Sequence, residues 1–443
     1  MAATATAAAW SCPEPPTGNY FVSTYPPFSA WTPVDTTPFR RELERRPSSP
    51  PAAEFGLYVH VPFCVERCAY CYYLAHDNRF GDVTAYIDAV VGELGEYRRM
   101  PSIADRPAGF VYVGGGTPSV LPLVRLRTMV DALRGLMSWN AAREVTFECA
   151  PRSVTADKIA FLRDSGVTRL SLGVQALDDR VLAANGRVHL ARDVERAWEV
   201  ISRSSFAVRN LDLMVGLTQE TEESFGRGLE QVIGLQPESV TVYQLEIPLN
   251  TRLYRSLPGL DAAGHPADWE TKHARLARAF RRLESAGYHL RSGYTAVRDP
   301  VRQPFVYQDD QYRGADLLGI GVSAFSYLDG IAQQNVATLD GYLAARRRGG
   351  LPLWRGYVLS DEERMIREFV LQLKLGGVDR AYFLDKFGQD VLRRFEAPLD
   401  EGVRRGWFAV APRGITVTHD GLVRIDRLLP AFYRPAHQGM RYS

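Results

Sequence analysis

The chain has 443 residues, a length that suits a large catalytic domain joined to a smaller one. Hydrophobic residues make up 46% and charged residues 23% of the chain, as in ordinary globular enzymes. The net charge of +2 supplies no basic field for nucleic acid, and no run of about 18 apolar residues predicts a membrane span. We therefore expect a cytoplasmic, monomeric enzyme that acts on a small molecule and binds neither nucleic acid nor membrane.

The N-terminal segment, residues 1–55, is rich in Pro, Ser, Thr and Ala. This composition predicts an extended arm with little regular structure. Its first ten residues, MAATATAAAW, carry no positive charge and make a poor signal peptide. Three aromatic residues, Tyr25, Phe28 and Trp31, are candidates for anchoring the arm to the rest of the protein.

From Gly56 onward, short β-branched apolar runs alternate with amphipathic segments. The apolar runs predict six strands, at 57–61, 110–116, 144–150, 169–175, 208–217 and 239–247. The segments with helical spacing lie at 84–97, 156–166, 193–204, 221–234 and 273–290. Such alternation predicts a parallel α/β sheet, and six units predict a (β/α)6 partial barrel over 56–290, because a closed barrel needs eight.

After the barrel the alternation stops. Residues 291–358 contain Gly-rich turns and short strands, which we interpret as a barrel extension and connection. Residues 359–443 are predicted to form a smaller, mainly helical C-terminal domain. Its first helix begins at Ser360, with Glu363 three residues on as a capping box. The segment ITVTHDGLVRI, residues 415–425, predicts a small hairpin.

The segment CVERCAYC places Cys64, Cys68 and Cys71 close together, whereas Cys12 and Cys149 lie far off in sequence. Five cysteines with this clustering do not make a disulfide framework and indicate metal binding. A structural zinc usually takes four ligands, but three thiolates can hold a 4Fe-4S cluster and leave one iron open. Three buried free cysteines are the disfavoured alternative, because the neighbouring proline and arginine do not suit a core.

This spacing, with Tyr70 before the third cysteine, resembles the signature of the radical S-adenosylmethionine (SAM) superfamily. The resemblance implies that the open iron binds SAM and that an external one-electron donor such as flavodoxin or ferredoxin reduces the cluster. The Gly-rich run GGGTPS, residues 114–119, resembles the site for the SAM amino group in that superfamily. As a phosphate-binding loop it would lack the final Lys-Ser/Thr.

Further motifs resemble the oxygen-independent coproporphyrinogen III oxidase-like branch, over about residues 56–430: LYVHVPFC, SLGVQ, NGRVH, DLMVGL and DLLGIGVSAFS. That branch binds two SAM molecules side by side. The resemblance implies that Cys64, Cys68 and Cys71 bind iron and that Tyr58, Gly115 and Glu148 contact the first SAM. It implies for the second SAM a set of six residues: Tyr70, Gly116, Thr117, Gln175, Arg187 and Asp212.

Two departures from that branch guide the predicted reaction. Tyr73 stands where the porphyrinogen decarboxylase has a further cysteine, and VYQDDQYRGAD, residues 306–316, lacks the His-Asn and Tyr-Trp pairs of the haem chaperones. Both favour members of the branch that transfer a methyl or methylene group from SAM to an sp2 carbon of a natural-product intermediate, by C-methylation or cyclopropanation in antibiotic biosynthesis.

Two alternatives remain open. The first is oxidative decarboxylation of a porphyrinogen, for which four arginines are candidates to pair with substrate carboxylates: Arg291, Arg298, Arg302 and Arg313. The second is a haem-binding relative without catalysis. It requires an axial ligand, and the eight histidines of the chain offer no obvious ligand pair.

Overall fold

A computed structural model describes residues 10, 17–32, 36–45, 54–72, 76–77, 80–260 and 265–442. Its strands are β1 (Phe55–Val61), β2 (Phe63–Cys64), β3 (His76–Asp77), β4 (Phe110–Gly115), β5 (Glu144–Cys149), β6 (Arg169–Gln175), β7 (Val208–Val215), β8 (Ser239–Gln244), β9 (His289–Leu290), β10 (Thr295–Val297), β11 (Asp316–Ile320), β12 (Phe325–Leu328), β13 (Ile331–Asn335), β14 (Leu353–Val358), β15 (Gly377–Asp379), β16 (Phe408–Ala411) and β17 (Gly414–Val417).

The helices alternate with these strands in the first two thirds of the chain and dominate the last third. They are α1 (Thr37–Glu44), α2 (Phe80–Tyr97), α3 (Leu123–Leu136), α4 (Ala156–Asp164), α5 (Asp179–Ala184), α6 (Ala191–Ser202), α7 (Glu222–Gly234), α8 (Arg252–Ser256), α9 (Trp269–Ser285), α10 (Val306–Tyr312), α11 (Leu339–Arg347), α12 (Asp361–Leu373), α13 (Arg380–Phe387), α14 (Val391–Arg394), α15 (Glu396–Arg404), α16 (His419–Val423) and α17 (Ile425–Leu428). Within the described ranges, none is long and apolar enough to cross a bilayer.

The largest sheet has twelve strands in the order β14-β13-β12-β11-β1-β4-β5-β6-β7-β8-β10-β9. The strands from β11 to β8 run parallel, while β10 and β12 are antiparallel to their neighbours. All six predicted strands are present, which confirms the α/β partial barrel. A seventh parallel strand, β11, pairs with β1 although about 260 residues separate them along the chain.

The four strands β1, β4, β5 and β6 are buried along almost their whole length, as expected for parallel strands covered on both faces. The few positions in them that keep partial exposure all line one cavity. They are Tyr58, Tyr112, Gly115, Glu148, Gly173 and Gln175. The sheet therefore presents a polar and aromatic set of side chains to the interior of the partial barrel.

The C-terminal part combines helices with the three-stranded sheet β15-β17-β16. The predicted capping box is confirmed, because the Ser360 N–H donates to Glu363 Oε2 at 2.9 Å and the Glu363 N–H donates to Ser360 Oγ at 3.3 Å. The hairpin predicted for 415–425 is wrong. Strand β17 pairs with β16 instead, and the Thr418 hydroxyl accepts from the Gly421 N–H at 3.1 Å, which starts helix α16.

The N-terminal arm is not extended throughout, since residues 37–44 form α1 with Phe39 and Leu43 buried on one face. The predicted aromatic anchors are confirmed for Tyr25 and Trp31, which are buried. The third, Phe28, is partly buried, and its ring stacks on that of Phe325 at 4.4 Å between centroids. These contacts fix the arm against the outer strands of the large sheet.

The arm also spans the open side of the partial barrel. One end pairs at Gly18 with Ile247, just beyond β8, and the other pairs at Thr32 with Gly356 in β14. Strands β8 and β14 lie toward opposite edges of the large sheet. Segments of the arm between these two bridges line the cavity, so the arm forms part of its wall.

A buried ion pair holds the arm to the C-terminal part. The Lys374 side chain is fully buried, and its Nζ lies 2.8 Å from Asp426 Oδ1. The Lys374 ammonium also donates to the Val22 carbonyl at 2.6 Å, while the Val22 N–H donates to Asp426 Oδ1 at 2.8 Å. The Tyr294 hydroxyl donates to the other oxygen of Asp426. One charge pair thus joins the arm, the end of α12, helix α17 and the approach to β10.

We expect Lys374→Met to lower the free energy of unfolding by about 3 kcal/mol, the low end of the range for a broken buried pair, because it leaves the partly buried Asp426 carboxylate without its cation. Urea denaturation measures the change. Arg302→Met is the matched control, since Arg302 is exposed and lies 3.7 Å from Asp299; it should change stability little. Equal denaturation midpoints for the two variants would contradict the role given to the ion pair.

Candidate active site

A cavity of about 870 Å³ lies within the partial barrel. Every residue predicted to bind iron or SAM lines it: Tyr58, Cys64, Cys68, Tyr70, Cys71, Gly115, Gly116, Thr117, Glu148, Gln175, Arg187 and Asp212. Most lie within β1, β4, β5, β6 or β7 or in the loops after their carboxyl ends, where parallel barrels carry their active sites. The structure brings these residues together, and their roles in cofactor binding stay predictions.

The three clustered cysteines are free and partly exposed toward the cavity. Cys64 Sγ lies 3.5 Å from the Thr117 hydroxyl, and the Arg187 Nη1 donates to Cys68 Sγ at 3.2 Å. The Arg187 guanidinium places a positive charge beside the Cys68 sulfur, whereas burial raises the pKa of the Cys64 thiol. The loop thus presents its sulfur atoms to the cavity with a fixed positive charge beside one of them.

The residues fit a cluster better than a single ion. Within the part of the chain that the structure describes, no three His, Cys, Asp or Glu side chains are grouped so as to hold a metal ion. A 4Fe-4S cluster takes each thiolate on a different iron, so its ligands stand farther apart than those of one ion. Cys149 also reaches the cavity wall, but burial raises the pKa of its thiol to about 12, which disfavours a fourth thiolate. Cys12 and Tyr73 lie outside the described residues.

The Gly-rich turn packs directly on the cysteine segment. The Gly116 N–H donates to the Val61 carbonyl at 2.8 Å, and the Thr117 N–H donates to the Phe63 carbonyl at 2.7 Å. A Cβ on Gly116 would lie 2.8 Å from the Phe63 carbonyl oxygen, and Gly115 has a φ of +115°. Glycine is therefore required here for close backbone approach, independently of any contact with a cofactor.

Two partly buried carboxylates face the cavity from β5 and β7. Glu148 accepts from the Tyr112 hydroxyl at 2.5 Å and from the Gly115 N–H at 3.1 Å. Asp212 accepts from the Ser171 hydroxyl at 2.9 Å and from the Asn210 amide at 2.7 Å. Burial, with the nearby Asp212 charge, raises the pKa of Glu148 to about 7, although the Tyr112 hydrogen bond opposes the shift.

Burial also raises the pKa of Asp212 to about 6, against the hydrogen bonds from Ser171 and Asn210. Both carboxylates consequently titrate near neutral pH. As anions they are suited to accept hydrogen bonds from an ammonium group or from ribose hydroxyls.

The sequence interpretation missed Tyr112, which pairs in register with Tyr58 and holds Glu148. Side chains alternate between the two faces of a strand, so Tyr112 shares a face of β4 with Gly114, and this alternation could have indicated Tyr112.

The prediction that four arginines bind substrate carboxylates is wrong, because none of them lines the cavity. Arg291, for example, forms an ion pair with Asp309, and Arg302 is exposed. The cavity instead contains other arginines, among them Arg169, Arg355 and Arg367.

Residues 58–232 match the model of the radical SAM superfamily. Over this segment the chain is similar to the radical SAM superfamily. The predicted cofactors, a 4Fe-4S cluster and SAM, are those that this similarity implies. The matched segment starts at Tyr58 and includes the cysteine loop, the Gly-rich turn and both carboxylate-bearing strands.

Similarity to particular radical SAM-type proteins extends well beyond the matched segment. The chain is 28% identical to the oxygen-independent coproporphyrinogen III oxidase of Escherichia coli over 432 residues, 89% of this chain and 88% of the relative. It is 26% identical to the heme chaperone HemW of Bacillus subtilis over 380 residues, 85% of this chain and 98% of the relative. The structure of coproporphyrinogen III oxidase (HemN) from E. coli superposes with a TM-score of 0.81 at 25% identity, over 93% of this chain and 96% of that one.

These comparisons overturn the predicted reaction. Methyl or methylene transfer in antibiotic biosynthesis is wrong, because the radical SAM proteins that resemble this chain over most of its length are coproporphyrinogen III oxidases and heme chaperones. The prediction gave two short departures, at Tyr73 and at 306–316, more weight than the similarity of the whole chain. Tyr73 is not described, and residues 306–312 form α10 beneath the barrel strands, where Tyr307 packs against Tyr112.

We expect the anaerobically reconstituted protein to hold about four irons per chain. Cys64→Ala, Cys68→Ala and Cys71→Ala should each abolish the absorbance of the cluster, because each removes a thiolate. Cys149→Ala should keep it. Iron and sulfide analysis measures the outcome, and a loss of iron in Cys149→Ala as severe as in the other three would contradict the three-cysteine site.

We expect SAM to bind about tenfold more weakly at pH 6 than at pH 8, because the Glu148 carboxylate, with a pKa of about 7, loses its charge as the pH falls. Isothermal titration of the reconstituted protein measures the affinity. Glu148→Gln should bind weakly at both values without this dependence.

Glu93→Gln provides the matched control for the pH experiment. Burial raises the pKa of Glu93 to about 7 as well, but Glu93 lies outside the cavity, held by Tyr342, Asn335 and the Gly321 N–H. This variant should keep the pH dependence. If Glu148→Gln also kept the pH dependence, the Glu148 carboxylate would not be the group whose ionisation controls SAM binding.

Proposed function

We propose that the protein is a radical SAM enzyme that oxidatively decarboxylates the propionate side chains of a porphyrinogen, as an oxygen-independent coproporphyrinogen III oxidase. The observation that carries the proposal is one cavity lined by the cysteine loop, by the buried Arg169 and Arg367 and by many aromatic side chains. The similarity to the coproporphyrinogen III oxidase of E. coli, in both sequence and structure, spans the barrel and the C-terminal part and supports the proposal.

The bound cluster and SAM would supply a 5′-deoxyadenosyl radical that takes a hydrogen atom from the substrate. Each propionate then loses CO2 and one electron and becomes a vinyl group, so the reaction needs an external one-electron acceptor. An external donor such as flavodoxin or ferredoxin would reduce the cluster. The protein contributes binding, orientation and the exclusion of water and of competing hydrogen donors.

The proposal includes two SAM molecules. The first would be held by Tyr58, Gly115 and Glu148. The second would be held by the residues on the adjacent wall: Tyr70, Gly116, Thr117, Gln175, Arg187 and Asp212. The support is that Gln175 Oε1 and Arg187 Nε are buried in a wall of this cavity and have no hydrogen-bond partner among the described residues. Buried polar atoms are normally paired, so these atoms are suited to meet a polar ligand.

A second candidate is a haem-binding protein, and two observations favour it. The similarity to HemW spans 98% of that relative. His273 lies in the cavity wall, and burial lowers the pKa of its imidazole to about 4, which keeps it neutral and able to bind iron. The residue is therefore a candidate axial ligand.

Anaerobic turnover with coproporphyrinogen III, SAM and a reductant tests the proposal. We expect CO2 and vinyl-bearing product, no gain of carbon, and formation of 5′-deoxyadenosine. With SAM deuterated on its methyl group, no deuterium should enter 5′-deoxyadenosine. Cys68→Ala is the inactive control. Absence of CO2 together with tight haem binding that is lost in His273→Ala would favour the second candidate and overturn the first.

A further inference from the structure

One side of the cavity is formed by the antiparallel strands β12, β13 and β14. Phe325 pairs with Gln334 and Tyr327 with Ala332, while Gln334 pairs in turn with Arg355. Because side chains two residues apart share a face, these five residues form one surface, and all five line the cavity. We call this surface, together with Arg367 of helix α12 packed on it, the outer compartment.

Arg367 is a buried cation in this compartment, and no carboxylate of the described residues forms an ion pair with it. Arg367 is only 4% exposed, and its guanidinium carbon lies 4.0 Å from the centroid of the Tyr327 ring. Among the described residues its one hydrogen bond runs from Nη1 to the Gln311 carbonyl at 3.1 Å, and its buried Nε has no partner. A guanidinium keeps its charge and has five N–H donors, so the compartment retains donors for an anion.

Arg355 supplies a second cation to the same surface. Its Nε donates to Gln334 Oε1 at 2.6 Å and its Nη1 donates to the Phe28 carbonyl at 3.3 Å. It forms no ion pair with a carboxylate of the described residues, and its guanidinium lies 4.6 Å from the Trp354 ring centroid. Arg355 therefore brings positive charge to the cavity wall with neutral partners only.

The two guanidiniums flank one patch. Arg367 rests on Tyr327 and Arg355 is bonded to Gln334, and these two partners are diagonal neighbours on adjacent strands, about 5–8 Å apart. By contrast, Arg364, one turn before Arg367 on α12 and outside the cavity, lies 3.3 Å from Asp329. The absence of carboxylate partners at Arg355 and Arg367 therefore coincides with their place in the cavity.

We propose that Arg355 and Arg367 form a carboxylate-binding subsite, which holds one or two acidic side chains of the substrate that are not reacting at that moment. This inference rests on the proposed function and deepens it, since a substrate with several carboxylates must be held by those it is not losing. Arginine suits the task because its planar fork matches a carboxylate. The neighbouring rings of Phe28, Phe325 and Tyr327 offer apolar surface to the body of a flat or cupped macrocycle.

The test uses two stable porphyrins as probes: coproporphyrin III with four carboxylates and protoporphyrin IX with two. Fluorescence titration of the reconstituted full chain with SAM measures both dissociation constants. The unmodified protein should bind the tetracarboxylate at least about tenfold more tightly. Arg355→Gln and Arg367→Gln should each weaken tetracarboxylate binding about 10- to 100-fold, the scale of a charge-assisted hydrogen bond, with little effect on the dicarboxylate.

Arg364→Gln is the matched control on the same helix and should leave both constants unchanged. A variant that fails to fold would lose binding of both probes alike, so the ratio of the two dissociation constants is the readout. Arg355 lies on an edge strand and is only partly buried, so Arg355→Gln tests the subsite with the least disturbance of the fold.

The subsite is overturned if Arg355→Gln leaves the preference for the tetracarboxylate unchanged, or if the unmodified protein shows no such preference. If the preference depends on the two arginines but coproporphyrinogen III is not decarboxylated, the subsite stands and the proposed reaction fails. The two claims are therefore separable in one set of proteins.

Discussion

A parallel sheet of seven strands cannot close on itself, so its interior side chains need cover from elsewhere in the chain. Here the cover is tied in place by the buried pair of Lys374 and Asp426, which bonds to both the N–H and the carbonyl of Val22. Among the described residues, this pair is where a charged group of the C-terminal part holds the backbone of the arm. The cavity depends on this closure because residues of the arm on either side of Val22 form part of its wall.

The parts of the fold that could be predicted are those that local pattern determines. The six predicted strands, β1 and β4 to β8, are short runs rich in β-branched and apolar residues, and the geometry of parallel sheets brings the site residues to their carboxyl ends. The capping box at Ser360 is equally local. The pairing of β11 with β1 is not, because it depends on contacts between segments far apart in sequence. Arg367 escaped notice for the same reason, since only the packing of α12 on β12 brings it to the cavity.

Local pattern also produced the errors. The sequence Thr-His-Asp-Gly, residues 418–421, is typical of a turn, yet the Thr418 side chain caps the N-terminus of helix α16. The prediction of the reaction failed for a related reason, because it relied on which short motifs are missing. The structure superposes on that of HemN with a TM-score of 0.81, across the barrel and the C-terminal part. This similarity bears more strongly on the reaction than short motifs do, because it covers the whole cavity rather than a few positions.

The contacts of the arm have a consequence for how the cavity is assembled. Val22 bonds to a residue 404 positions later, and the Tyr25 hydroxyl bonds to the imidazole of His437, 412 positions later. Contacts of such sequence separation form late, since the loop-closure entropy is lost before they contribute. During synthesis, the barrel strands and the cysteine loop are therefore available before the wall that encloses them. In that interval the loop that carries Cys64, Cys68 and Cys71 is more open to solvent than it is once residues 426–442 have docked against the arm.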